Sequence, residues 1–345
     1  MKAMSSLSSQ GFFMPAEWHP HDCCWMGWPC RIKTWGERMY EAKLAYAEIA
    51  QAINQFEPVK MTARPEDAEE ARKMCGTQIE IVPLPMDDSW TRDSGPTFII
   101  DRKGKLAGID WEFNQWGADY PDCEDDAYFA RALLNHISVE HFKAPFVLEG
   151  GSIHVDGDGT LMTTEQCLLH PNRNPELDQE EIEQLLREHL NVHNIIWLGE
   201  GLMDDETDGH VDNLACFIKP GAVMALISND PEDENYDVLQ DNLLRLKHAK
   251  DARERSLEII TVEQPEARWK EDERLAQSYI NFYLPNKGIV MPAFNDPVHD
   301  NQAREIFEKV FPDREIIQLD AQEIVMGGGG IHCITQQQPK ALVIS

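Results

Sequence analysis

The chain has 345 residues, of which 42% are hydrophobic and 27% charged, and its formal net charge is −30. That length fits one large domain or two smaller ones, with ample material for a core. The negative charge argues against nucleic acid and anionic membranes as partners and is compatible with a small cationic substrate.

From the N-terminus onward, no apolar run reaches the roughly 18–20 residues of a membrane span. Met1 to Phe13 is serine-rich and lacks an apolar signal-peptide core. The expected location is therefore the cytoplasm, with the eight cysteines as reduced thiols. No Cys-x-x-Cys pair suggests a zinc site.

Met14 to His21 is dense in aromatics and prolines and reads as ordered coil, and Cys24 to Pro29 as a short buried strand. Glu37 to Phe56 has helical spacing, with Leu44, Ile49 and Ile53 on one side. Val59–Thr62 and Ile79–Val82 read as strands around a short helix from Pro65 to Met74. A unit then recurs. Phe98–Ile100 and Leu106–Phe113 form a hairpin, followed by a helix near Glu124–His136 and a strand Phe146–Glu149. The second unit is Ser152–Val155, Thr160–Thr164, a helix from Asp178 to Leu190 with Glu181 completing a capping box, and Asn194–Leu198. The third is Val211–Ile218, Ala222–Ile227, a helix near Tyr236–Ala249 and Leu257–Val262. The fourth is Tyr279–Leu284, Ile289–Pro292, a helix near Val298–Val310 and Glu315–Leu319. Four such units suggest a radial array, with a leftover strand around Cys333 and the N-terminal strands supplying a fifth. A linear α/β sheet is the alternative that periodicity leaves open.

Four stretches carry candidate chemistry. Gly327-Gly328-Gly329-Gly330 lets a main chain approach a ligand closely beside Cys333, a candidate nucleophile; an inert buried thiol is the plain alternative. Met86 to Pro96 is a polar cluster leading into a strand. Within it Asp93 serves as a ligand or a turn cap, and Asp87 and Asp88 read as solvated or locally bonded. Glu149 ends a strand before a glycine pair and either orients another group or pairs with a basic neighbour. His210 and Asp212, two apart at an expected strand start, share one face. His154 and Asp156 alternate in the same way and form a second such pair.

Together these stretches resemble the agmatine deiminases of the guanidino-group-modifying (pentein) superfamily. The resemblance runs nearly end to end, through Met14-Pro15-Ala16-Glu17-Trp18, Trp90 to Pro96, Glu149 to Gly157, Gly209 to Asn213, Ser278 to Phe282 and Ile331 to Gln337. It departs at Gly330, where the family pattern has asparagine. The resemblance implies an α/β fold, a five-bladed ββαβ propeller of pseudo-fivefold symmetry closed by the two chain ends, with residues 1–345 as one domain. It implies hydrolysis of agmatine to N-carbamoylputrescine and ammonia, with no cofactor or metal, and by analogy a homodimer. Asp93 and Asp212 would grip the guanidinium, and Cys333 would attack its carbon as a thiolate favoured by the substrate cation and His210. His210 would protonate the departing ammonia and then activate water against the S-alkylthiouronium intermediate. Glu149 would orient His210, Trp90 would wall the aliphatic chain unless it is a core residue, and Gly329 and Gly330 would pass their backbone beside the substrate. Alternatives are a deiminase of arginine or peptidyl-arginine, a binuclear-metal ureohydrolase, for which dense Asp/His clusters are missing, and a non-catalytic binding protein. If Arg92 lies on an extended segment, it turns away from the pocket, leaving no cation for an α-carboxylate and favouring agmatine over arginine.

Overall fold

Strand and helix positions follow local chemistry closely. In the computed structural model, which describes residues 6–117 and 123–343, the helix Gln179–Leu190 starts at the Asp178 N-cap. Asp178 accepts from the Glu181 amide and the Glu181 side chain accepts from the Asp178 amide. Ile182, Leu186 and Leu190, one helical turn apart, are its buried stripe. Met39–Ile53 is less well read by spacing. Its buried face runs through Ala42, Tyr46, Ile49 and Ile53, while Leu44 is 47% exposed.

The recurring unit is an antiparallel hairpin whose second strand is joined, through a helix, to a parallel third strand. Thr97–Asp101, Leu106–Glu112 and Glu140–Val147 make one such sheet, with Phe12–Phe13 added at its edge. His154–Val155, Thr160–Thr164 and Asn194–Leu198 make the next, and Ala215–Lys219, Ala222–Ile227 and Glu258–Glu263 another. Gly288–Ala293 pairs in parallel with Glu315–Asp320. The chain ends meet in a final sheet, where Thr335–Pro339 lies antiparallel to His21–Gly27, with Val59–Ala63 and Glu80–Pro83 following in parallel. The fold is thus mixed α/β, with helices crossing between parallel strands.

Several expected strands take other forms. Tyr279–Leu284 forms only an isolated bridge, Tyr283 to Val290, because Ser278 and Asn281 turn inward to bond Asn213. Phe146–Glu149 is the tail of a longer strand, Glu140–Val147, and Glu149 lies beyond it. His210 and Asp212 are not on a strand, since Val211–Asn213 is a 3-10 turn. The C-terminal strand begins at Thr335, after Cys333. A small hairpin, Trp269–Lys270 with Glu273–Arg274, was not foreseen.

The principal core holds Trp28, Trp35, Trp90, Tyr46 and Cys333 in one cluster, so the proposed nucleophile stands in the interior. All eight cysteines are free and buried. Among the described residues, no helix is long and apolar enough to cross a membrane.

Candidate active site

Three short helical turns bring the candidate polar residues together. Thr91–Ser94 carries Asp93, Gly150–Ser152 follows Glu149, and Val211–Asn213 carries Asp212 just after His210. The turns pack against one another. Each sits beside a strand end, where the backbone leaves its ladder and can aim side chains inward. Cys333 is held from both sides. Its carbonyl accepts from the Arg92 amide at 3.1 Å, and the strand that starts at Thr335 pairs with His21–Gly27.

Every one of these side chains is buried. The Cys333 sulfur lies 3.6 Å from Asp212 Oδ2 and receives the Asn281 side-chain N–H at 3.3 Å. Burial pushes its thiol well above the ordinary value, and the charges of Asp212 and Asp93 push the same way. Asp93 accepts from the Gly151 amide at 2.9 Å and from Trp116 Nε1 at 2.9 Å. Burial raises its carboxyl, as does nearby Asp212, against the opposing pull of His210. Asp212 goes the other way. Burial would raise it, but the hydrogen bond from His332 Nδ1 at 2.8 Å holds it below the carboxylate range. Its Oδ1 has no partner among the described residues.

His210 lies between two carboxylates without bonding either. Nδ1 is 3.8 Å from Asp93 and Nε2 is 3.7 Å from Glu149, and neither nitrogen has a hydrogen-bond partner. Burial opposes its charge, but Asp93, Cys167 and Glu149 together hold its proton well above imidazole's usual value. Among the described residues, no hydrogen bond joins it to Cys333. Its ring faces carboxylates instead. Glu149 does have the basic neighbour: Arg173 Nε donates to it at 2.7 Å, with both side chains fully buried. Burial works against that carboxylate's charge, but His210 and Arg173 outweigh it and lower its value. Glu149, Cys167 and His210 also gather donor atoms of metal-binding type. The guanidinium already bonded to Glu149 makes that nest unfavourable for a second cation.

A cavity of about 30 Å³ opens onto Cys333, lined by Trp90, Asp93, Trp116, Glu206, Thr207 and Gly327 to Gly329. Trp90 is both wall and core, stacked on Trp35 with ring centroids 5.7 Å apart. Gly328 has φ +107°, a backbone that side-chain-bearing residues rarely adopt. Gly330 is closely packed. A Cβ there would meet Asn281 Oδ1 at 2.2 Å, so glycine leaves room for the amide that touches the nucleophile.

Arg92 does turn away from the cavity, but not by strand alternation. It lies in the helical turn and reaches back, Nε donating to the His332 carbonyl at 3.3 Å and Nη1 standing 3.6 Å from Glu17. Asp88 is buried and bonded to Thr34, Trp35 and Ser89, not solvated. Of the second pair, His154 lies 3.7 Å from Glu17 and Asp156 ties its own turn, so it stays outside the cavity. Sequence reasoning missed Arg173, Trp116, Glu206 and Asn281 as site residues, and also Glu17 and His332. The last two and Asn281 lie inside matched motifs and were legible there. Trp116, Glu206 and Arg173 carry no local signal.

Comparisons with known proteins agree over nearly the whole chain. The family model for Porphyromonas-type peptidyl-arginine deiminase matches residues 13–339. A Legionella pneumophila protein, provisionally named agmatine deiminase, is 54% identical over 343 residues, 99% of each chain. The agmatine deiminase of Stutzerimonas stutzeri is 44% identical, covering 99% of this chain and all of its own. The solved agmatine deiminase of Enterococcus faecalis superposes with a TM-score of 0.94 at 36% identity, covering 99% of both chains.

Proposed function

Because the chain belongs to the Porphyromonas-type peptidyl-arginine deiminase family, we propose that it hydrolyses agmatine to N-carbamoylputrescine and ammonia through a covalent intermediate on Cys333. In this reading the whole chain is one domain, and the hairpin-led sheets with the sheet closed by both termini are the five blades of a propeller.

The guanidinium docks between Asp93 and Asp212, whose free Oδ1 awaits a donor. The arriving cation offsets the two carboxylates that keep the thiol protonated, so Cys333 releases its proton to water as substrate binds. The thiolate forms a bond to the guanidinium carbon. His210, already protonated, gives its proton to the nitrogen that leaves as ammonia, and the C–N bond breaks. The neutral imidazole then takes a proton from water, whose oxygen adds to the same carbon. The C–S bond breaks and returns Cys333. Glu149, anchored by Arg173, keeps His210 charged and in place. Of the side chains these steps use, Asp93 and Cys333 line the cavity, and Asp212 and His210 stand buried behind them, within 4 Å of Cys333 and Asp93 respectively.

The observation that carries the choice of substrate is the charge of the cavity lining. Among the described residues, its ionisable side chains besides Cys333 are Asp93 and Glu206, and no lysine or arginine lines it. The lining carboxylate of Glu206 suits the terminal ammonium of agmatine and repels the α-carboxylate of arginine. An unpaired carboxylate in a partly closed site costs roughly 2–3 kcal/mol, or about 30- to 150-fold in kcat/KM. Measuring kcat/KM for agmatine, arginine and an arginyl peptide under one set of conditions, with N-carbamoylputrescine identified as product, tests this. Arginine or the peptide equal to agmatine would overturn it.

A further inference from the structure

His332, next to the nucleophile, has no part in the steps above, yet it is placed with unusual definition. Its Nδ1 stands 2.8 Å from Asp212 Oδ2 and its Nε2 stands 2.7 Å from Glu17 Oε1. Ionised carboxylates only accept hydrogen bonds, whereas a neutral imidazole has a single N–H. Two contacts this short therefore require both nitrogens to donate. We propose that Glu17 and a positively charged His332 are positioning residues that hold Asp212 ready for the guanidinium, so the Met14–Trp18 segment belongs to the active site.

All three side chains are buried, which strengthens each contact by excluding water. Other charged and titratable groups also face this pair, among them the buried Cys216, which feels the charge of Glu17. Arg92 donates from Nε to the His332 carbonyl at 3.3 Å, with Nη1 3.6 Å from Glu17. The His154 ring lies 6.5 Å from that of His332, with Nε2 3.7 Å from Glu17. The Cys333 sulfur is 3.6 Å from Asp212. Burial and Arg92 disfavour the imidazolium, but Glu17 and Asp212 outweigh them, so its proton is held above the ordinary histidine range.

The consequence lies at Asp212. With Oδ2 committed to His332, the carboxylate cannot rotate, and its Oδ1 is left buried without a partner. Such an oxygen is costly until a donor arrives. Without the imidazolium, Asp212 and Asp93 would be two carboxylates in one buried site, and one would take up a proton and lose its grip on a cation. The charged His332 also offsets part of the negative charge that Glu17 and Asp212 place in the interior.

The inference rests on the reading of Asp212 as a guanidinium ligand, and two measurements separate the two. The first is kcat and KM for agmatine from pH 5.5 to 9 in the wild type, Glu17→Gln and Glu17→Asp. Because the needed form is the charged one, its benefit is present at low pH and lost as pH rises through the folded-state value. Glu17→Gln lowers that value. Its KM should therefore rise about 10-fold at pH 8, in the range of other orienting groups, with kcat changed less. The loss should fade toward pH 6, and Glu17→Asp should restore most of the profile. The second is a ¹⁵N-histidine NMR titration of His332 without substrate, assigned by His332→Gln. It should show a doubly protonated ring at pH 7 in the wild type. A Glu17→Gln profile parallel to wild type, or a loss uniform across pH, would overturn the inference. So would a neutral His332 ring at pH 7, whether or not Glu17→Gln folds. If the wild type failed to turn over agmatine, the substrate reading would fall, and the titration would still decide the charge of His332.

Discussion

Replacing Arg173 by methionine should be among the most damaging single changes outside the cavity, and the structure sets its size. Arg173 is fully buried. It donates to Glu149 at 2.7 Å, to Asp208 at 2.8 Å and to the Thr207 carbonyl at 2.9 Å. Methionine fills the volume but leaves Glu149 as a buried charge facing His210 and the Cys167 thiol. Breaking one side of a buried pair costs about 3–5 kcal/mol. Unfolding entropy of about 2.1 cal/mol/K per residue over 345 residues is about 0.7 kcal/mol/K, so the melting temperature should fall by about 4–7 °C. Glu149→Gln alone removes the charge and should cost less, with turnover lowered about 10- to 100-fold because His210 loses its partner. The double variant should be more stable than the sum of the singles implies, with a coupling of about 1–3 kcal/mol. The pH dependence has a definite sign. Glu149 is depressed in the folded state, so its pairing stabilises above the unfolded glutamate value, about 4.3, and is lost as pH falls through the folded value. The gap between wild type and Arg173→Met should therefore narrow in acid. Denaturant and thermal melts followed by circular dichroism measure the stabilities, and ammonia release from agmatine measures the turnover. Additive effects of the two substitutions, or a gap constant with pH, would refute the reasoning.

Two further outcomes follow from Cys333. Cys333→Ala should retain its circular dichroism spectrum and melting behaviour while releasing no ammonia from agmatine, and appreciable release by the folded variant would exclude the covalent route. Because burial, Asp212 and Asp93 all raise the thiol, iodoacetamide labelling of Cys333, read by peptide mass spectrometry, should keep accelerating through pH 9 in the free protein. Asp93→Asn should speed labelling at fixed pH, and a plateau below pH 8 would contradict the raised value.

What the sequence determined by itself was whatever depends on neighbours a few residues away. The capping box at Asp178 and Glu181, the helix it starts, and the strand Asn194–Leu198 appear as read, because caps and periodicity act within one or two turns. The glycine run beside Cys333 was visible for the same reason, and the matched motifs marked Asp93, Glu149, His210 and Asp212. The alternation arguments for Arg92 and for His210 with Asp212 failed. Both segments are short helical turns, set by packing against other turns and not by their own residue types. Only the tertiary structure decided the charges. His332 meets Glu17 from 315 positions away, and Asp212 from 120. Arg173 reaches Glu149 across 24 residues, and Trp116 reaches Asp93 across 23. A carboxylate's ionisation depends on burial and on the charges within a few ångströms, and those neighbours come from distant parts of the chain that only folding brings together.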